Sequence, residues 1–109
     1  DSLELTVEKW ERIHAYSKSV FNLSHYQELL QGAVVPIFLC TEYANQCRMC
    51  PIYGICKQGT SEHWTNLIRI MEAYAVAGDL LPRETLVNHI DVFLNKLRQC
   101  RTDALARAH

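Results

Sequence analysis

Residues 82–100, PRETLVNHIDVFLNKLRQC, carry the clearest structural signal in the chain. Large apolar side chains recur there at alternating steps of four and three residues, which is the spacing of a helix face that packs against other helices. Pro82 suits the first turn of such a helix, because an N–H at that position would have no helical partner. We expect Cys100 to be a small apolar residue of this seam rather than a metal ligand. The seam consists of Leu86, Ile90, Phe93, Leu97 and Cys100.

The segments that precede this seam also favour helices. Residues 61–78 predict a helix that Ser61 caps and Gly78 ends, and its apolar side chains are Trp64, Leu67, Ile68, Met71, Ala75 and Val76. Residues 24–32 predict a short helix between a capping Ser24 and Gly32. Between this helix and the cysteines, we expect a helix with Pro36 in its first turn, and a buried extended segment is the alternative.

A further helix is expected over residues 6–21, where the apolar stripe comprises Trp10, Ile13, Tyr16, Val20 and Phe21. Together these segments predict an all-α fold, a small bundle of four or five helices. The chain has 109 residues, which suffices for one domain spanning 1–109. Because it does not begin with Met, the domain is a candidate fragment of a longer protein.

Charge is distributed unevenly along the chain. The net charge is −1, which argues against a dedicated, strongly basic nucleic-acid binder. However, the charged residues of positions 1–11 are mostly acidic, and those of positions 96–109 are mostly basic. We interpret the basic end as a solvated helix end whose cations complement the helix dipole, and contact with phosphate or an acidic partner is the alternative.

Residues 40–56, CTEYANQCRMCPIYGIC, contain four of the five cysteines. The spacing is Cys40-x6-Cys47-x2-Cys50-x5-Cys56. Thiolates are soft ligands that suit zinc and iron–sulfur clusters, and the closely spaced pair can place two sulfurs on one ion or one cluster face. We therefore predict that Cys40, Cys47, Cys50 and Cys56 bind a metal centre in a loop spanning residues 40–56.

Three kinds of centre compete for these thiols. A [4Fe–4S] cluster is favoured, because irregular spacing suits its larger body and Pro51 directly follows Cys50. Structural zinc is the first alternative, although zinc sites usually draw on two close pairs. Two disulfides are the second alternative, and they would require an oxidising compartment and leave Cys100 unpaired.

The cysteine spacing resembles the cluster loop of the endonuclease III and adenine DNA glycosylase family. In that family the same spacing holds a [4Fe–4S] cluster, so the resemblance implies ligand roles for the four cysteines. It covers 17 of the 109 residues. The helix-hairpin-helix and its catalytic residues have no counterpart in this sequence, and glycosylase activity is therefore not carried over.

Two further groups share features of this segment. Residues 47–56 look like the terminal cysteine run of cluster-bearing nucleases of the CRISPR-adaptation and recombination-repair type. The size and helical character are similar to those of WhiB-like regulators, which also bind a cluster. Neither the acidic-and-lysine nuclease motif nor the Gly-Val-Trp-Gly-Gly turn is found in this chain. These resemblances imply a cluster and point towards nucleic-acid processing or its regulation.

The sequence-based hypothesis is a metal-stabilised helical interaction module that docks on a partner. A protein partner is favoured, and nucleic acid is the alternative. The other functions considered are a redox-responsive iron–sulfur transcriptional regulator and an accessory domain of a nucleic-acid-processing enzyme. Without a recognisable catalytic motif, a non-enzymatic role is favoured. No apolar run approaches the ~20 residues of a membrane span. We expect an intracellular protein, cytoplasmic or nuclear.

Overall fold

The computed structural model describes residues 2–20, 22–35, 37–56 and 62–108. Within these ranges the chain forms α-helices and short 3-10 turns and contains no strand, which confirms the all-α fold. The helices are α1 (Ser2–Ser17), α2 (Leu23–Val34), α3 (Phe38–Glu42), α4 (His63–Ala77) and α5 (Arg83–Ala108). The 3-10 turns span Cys47–Met49 and Gly78–Leu80.

The predicted seam of α5 forms the centre of the core. Leu86, Ile90, Phe93 and Leu97 are all buried, and Leu94 is buried beside them. Cys100 is half-buried and packs against the edge of this core, so it is less enclosed than expected. α5 packs mainly on α1, whereas α2 packs mainly on α4.

The acidic and basic ends of the chain meet along the pair formed by α1 and α5. Glu4 accepts from Arg101 at 2.8 Å, and Glu11 lies 3.2 Å from Arg98. The residue order of these pairs shows that the two helices run antiparallel. Exposed ion pairs contribute about 0–1 kcal/mol each, so they align the helices more than they stabilise them.

Helix α1 begins earlier and ends earlier than the predicted range of 6–21. Its buried stripe extends back to Leu3, and the Thr6 hydroxyl donates to the Ser2 carbonyl at 2.9 Å. The helix ends at Ser17, whose hydroxyl donates to the carbonyl of His14 at 2.6 Å. Such bonds from a side chain to the backbone compete with continuation of a helix. Phe21 lies outside the described residues.

Helix α2 differs from its prediction at both ends. Asn22, rather than Ser24, is the N-cap, since its side-chain oxygen accepts from the His25 N–H at 3.1 Å. Ser24 donates to that same oxygen at 2.7 Å. The helix passes through Gly32 and ends at Val34, because no left-handed turn forms at the glycine.

The remaining helix predictions concern the start of α3, both ends of α4 and the apolar stripe of α4. α3 starts at Phe38 after Ile37, while the predicted positions of Pro36 and Ser61 lie outside the described residues. Gly78 ends α4 with φ +56°, as predicted, and a side chain there would be strained. On α4 the stripe prediction is wrong for Val76, which is 82% exposed, because the helix turns Tyr74 to the core instead.

None of the helices described in the structure is both long enough and apolar enough to cross a lipid bilayer.

Substitution of Leu94, which is buried beside the seam, tests the packing of α5 in the core. Leu94 is fully buried, so we expect Leu94→Ala to lower the free energy of unfolding by about 2–5 kcal/mol, through lost burial and a residual cavity. Val92 is 54% exposed on the same helix, and Val92→Ala should change stability by less than about 0.5 kcal/mol. Urea denaturation measures both, and equal losses would contradict this packing.

A half-buried hydrogen bond between α2 and the turn after α4 predicts a pH dependence. The Tyr26 hydroxyl donates to Asp79 at 2.6 Å. Burial, followed by this hydrogen bond, raises the pKa of Tyr26 to about 12 from 10.0. The folded protein therefore favours the neutral phenol. The resulting stability is complete below pH 10.0 and is lost as pH rises towards about 12.

We expect the free energy of unfolding to fall more steeply in the wild type than in Tyr26→Phe above about pH 10, because only the wild type must ionise this phenol. Urea denaturation at several alkaline pH values measures the two slopes. Parallel pH profiles would show that Tyr26 is not responsible.

Candidate metal centre

The first three cysteines lie on two short helical turns. Cys40 lies within α3, Cys47 begins the first 3-10 turn, and Cys50 follows that turn. The Cys50 N–H donates to the Cys47 carbonyl at 3.0 Å, which brings the closely spaced pair into one turn. Between the two turns Asn45 has φ 65°, a left-handed conformation that asparagine tolerates better than most residues. The six residues between Cys40 and Cys47 thus contain a turn at Asn45.

The remainder of the cysteine segment is anchored by apolar side chains. Ile52 and Ile55 are buried in the core, as is Leu39 of α3. The Cys56 N–H donates to the carbonyl of Ile52 at 3.1 Å, so this cysteine is tied to an anchored residue. The predicted loop of residues 40–56 therefore contains helical turns and has apolar contacts of its own with the core.

All four predicted cysteines line one cavity of about 230 Å³. Cys40 and Cys47 are exposed at its rim, whereas Cys50 and Cys56 are half-buried. The cavity also has an apolar and aromatic lining, which includes Trp10, Ile52, Trp64, Phe93 and Leu97. Residues from α1, α3, α4, α5 and the cysteine segment thus meet around the same space.

All five cysteines are free thiols, so no S–S bond joins the predicted ligands. Burial raises the pKa of the Cys50 thiol, an N–H of Ile52 partly offsets this, and negative charge on Cys56, Cys40 and Cys47 raises it again. These thiols therefore lie within electrostatic reach of each other. Four neighbouring thiolates are stable together only if a cation compensates their repulsion.

The arrangement is open rather than closed around a point. In the described ranges, no group of three or more His, Cys, Asp or Glu side chains is placed to hold one metal ion. The cavity of about 230 Å³ is several times the roughly 30 Å³ that one water molecule occupies in the liquid. The four cysteines border this volume together with the aromatic wall.

Lys9 brings a positive charge to the same cavity. Its ammonium donates to the Val35 carbonyl at 2.8 Å, just after α2 ends. Partial burial lowers the pKa of Lys9, while negative charge on Cys40 raises it. The amine is therefore held close enough to the exposed thiol for their charges to interact.

Several lining residues could not be identified as site residues from the sequence. Trp10 and Trp64 were expected only to pack between helices, yet their rings lie 6.0 Å apart, edge to face, in the cavity wall. Tyr43 also lines the cavity. His63 lines a separate small cavity. Only the tertiary packing brings the tryptophans to the cysteines.

Comparison of the chain with family models, curated proteins and solved structures finds no match. The chemistry of the site therefore follows from its own residues.

Replacement of single cysteines by serine tests the ligand set. We expect Cys40→Ser, Cys47→Ser, Cys50→Ser and Cys56→Ser each to lower metal affinity at least about tenfold, because a hydroxyl is a poor ligand for a soft metal centre. Metal content per chain after anaerobic purification measures the effect, and circular dichroism confirms that the helices persist.

Cys100→Ser is the matched control, since Cys100 does not line the cavity and should leave the metal content unchanged. Wild-type metal content in all four cavity variants would remove these residues from the ligand set.

Proposed function

We propose that this chain is a helical interaction module whose cysteine segment is held by a [4Fe–4S] cluster and which docks on a protein partner. The observation that carries the proposal is that Cys40, Cys47, Cys50 and Cys56 all line one cavity as free thiols. Thiolates grouped in this way are the usual protein ligands of iron–sulfur clusters and of zinc.

The size of the cavity favours a cluster over zinc. Structural zinc draws four donors to about 2.3 Å from one point, whereas a cluster presents a separate iron to each thiolate. A space of about 230 Å³, lined by four cysteines and by aromatic rings, suits the larger body. Zinc remains the alternative centre, and it would require the thiols to close inward.

The structural role of the cluster would be to fix α3 and the cysteine segment against the other helices. Cys40 is on α3, whereas Cys50 and Cys56 pack against the main core. A centre bound to all three would join α3 to the core, and its binding free energy would become folding free energy. Buried Leu39, Ile52 and Ile55 already anchor α3 and the later part of the segment, so the centre would add to contacts that exist without it.

A groove beside this centre offers a docking surface. It encloses about 480 Å³ between α1, the end of α2 and α3. Exposed apolar side chains of Leu5, Val35 and Phe38 line it, and Phe38 is 73% exposed. Lys9 and Arg12 also line the groove, and no carboxylate is found among its described lining residues. An apolar side chain next to a carboxylate would complement it.

The distribution of charge favours a protein partner over nucleic acid. The alternative of phosphate binding depended on the basic residues near the C terminus. Two of them, Arg98 and Arg101, pair with Glu11 and Glu4 of α1. A groove with an exposed aromatic ring and two cations resembles the apolar centre and charged rim of a protein interface.

Site-specific photo-crosslinking tests the docking surface. A photoreactive amino acid at position 38 should crosslink, in cells that produce the protein naturally, to one protein segment that contains apolar and acidic residues. Position 80 is the control, because Leu80 is 89% exposed but lies on the turn after α4. Equal patterns at both positions, or crosslinks to nucleic acid from position 38, would contradict the proposed partner.

A redox-responsive regulator is the second candidate, and one observation favours it. Cys40 and Cys47 are exposed, so an oxidant can reach that side of the centre. α3 carries both Cys40 and the groove residue Phe38, and loss of the cluster would therefore release one wall of the groove. Crosslinking from position 38 that disappears after air oxidation would support the regulator, whereas unchanged crosslinking would support the constitutive module.

A further inference from the structure

Lys9 lies where its positive charge would influence the reduction potential of the proposed cluster. It lines the cavity together with the four cysteines. The hydrogen bond of 2.8 Å to the Val35 carbonyl directs its ammonium across the gap between α1 and the end of α2. This end of α2 carries partial negative charge from unpaired carbonyl groups, which favours a cation there. The position of Lys9 is thus set by the protein, independently of any bound centre.

We propose that Lys9 is a positioning residue that compensates the negative charge of the thiolate-bound cluster and raises its reduction potential. The inference rests on the proposed cluster. Net charge, hydrogen bonds and solvent exposure set the potentials of iron–sulfur centres. Among the described residues that line the cavity, Lys9 is the only lysine or arginine.

The redox step is a one-electron reduction of the cluster. The [4Fe–4S]²⁺ form takes one electron from an electrode to become [4Fe–4S]⁺, and all four thiolates stay bound. The reduced form carries one more negative charge than the oxidised form, so a nearby ammonium stabilises it more. Removal of the ammonium should therefore make reduction harder and shift the midpoint potential to a more negative value.

Three substitutions separate charge from structure. Lys9→Gln removes the charge but keeps an N–H donor for the Val35 carbonyl. Lys9→Arg keeps the charge. Arg12→Gln removes a cation that lies on the same helix and lines the docking groove but not the cysteine cavity. A general effect of net charge would appear in both glutamine variants, whereas a local effect would appear only at position 9.

Protein-film voltammetry of the anaerobically purified proteins measures the potential. We expect Lys9→Gln to shift the ratio of oxidised to reduced centre at fixed potential about tenfold, which equals about 59 mV for one electron. Lys9→Arg and Arg12→Gln should remain near the wild-type value. An unshifted Lys9→Gln, or an equal shift in Arg12→Gln, would overturn the role of Lys9 while leaving the cluster in place. Wild-type protein without iron would overturn both the cluster and the inference.

Discussion

The convergence of four cysteines on one cavity is the constraint on which the proposed centre depends. Four cysteines border one cavity, and burial already makes ionisation of Cys50 unfavourable. Deprotonated sulfurs would repel each other across this space unless a positive centre lay between them. Helix packing supplies the aromatic wall of the cavity, but an apolar wall cannot neutralise charge. The proposed inorganic centre would supply this positive charge.

Helix α1 links the cysteine cavity to the other parts of the molecule. Its buried face carries Trp10 into the core, where the ring contacts Phe93 of α5 with centroids 4.7 Å apart. One turn of the same helix places Lys9 in the cavity and in the adjacent groove. Acidic side chains on another face align α1 with α5. Helices α1 and α3 contribute residues both to the cysteine cavity and to the groove. Loss of the proposed centre would therefore act on the groove through these two helices.

Local periodicity was sufficient to predict the class of fold and much of α5. The steps of four and three residues from Leu86 to Leu97 correspond to buried positions because α5 is long and regular. Helix ends were harder, since the choice between Asn22 and Ser24 as cap depends on backbone conformation that both residue types tolerate. The prediction that Val76 packs in the stripe of α4 was wrong, because a stripe of apolar residues does not show which of its edges faces a neighbouring helix.

The four cysteines of the candidate site could be identified from the sequence, but the other residues that line the cavity could not. Soft ligands at close spacing pointed to Cys40, Cys47, Cys50 and Cys56 before any fold was known. Lys9 and Trp64 could not be connected to them, because both are distant in sequence and reach the cavity only through tertiary packing. The same limit applies to the groove, since an exposed Phe38 is indistinguishable in sequence from a buried one.

The nature of the centre decides between these interpretations. Iron, acid-labile sulfide and zinc should be quantified per chain in wild-type protein purified without oxygen. A [4Fe–4S] cluster predicts about four iron and four sulfide per chain and a broad visible absorbance. About one zinc per chain would replace the cluster by a structural ion. Metal-free protein with freely titratable thiols would contradict the account, because the cavity would then hold no shared centre.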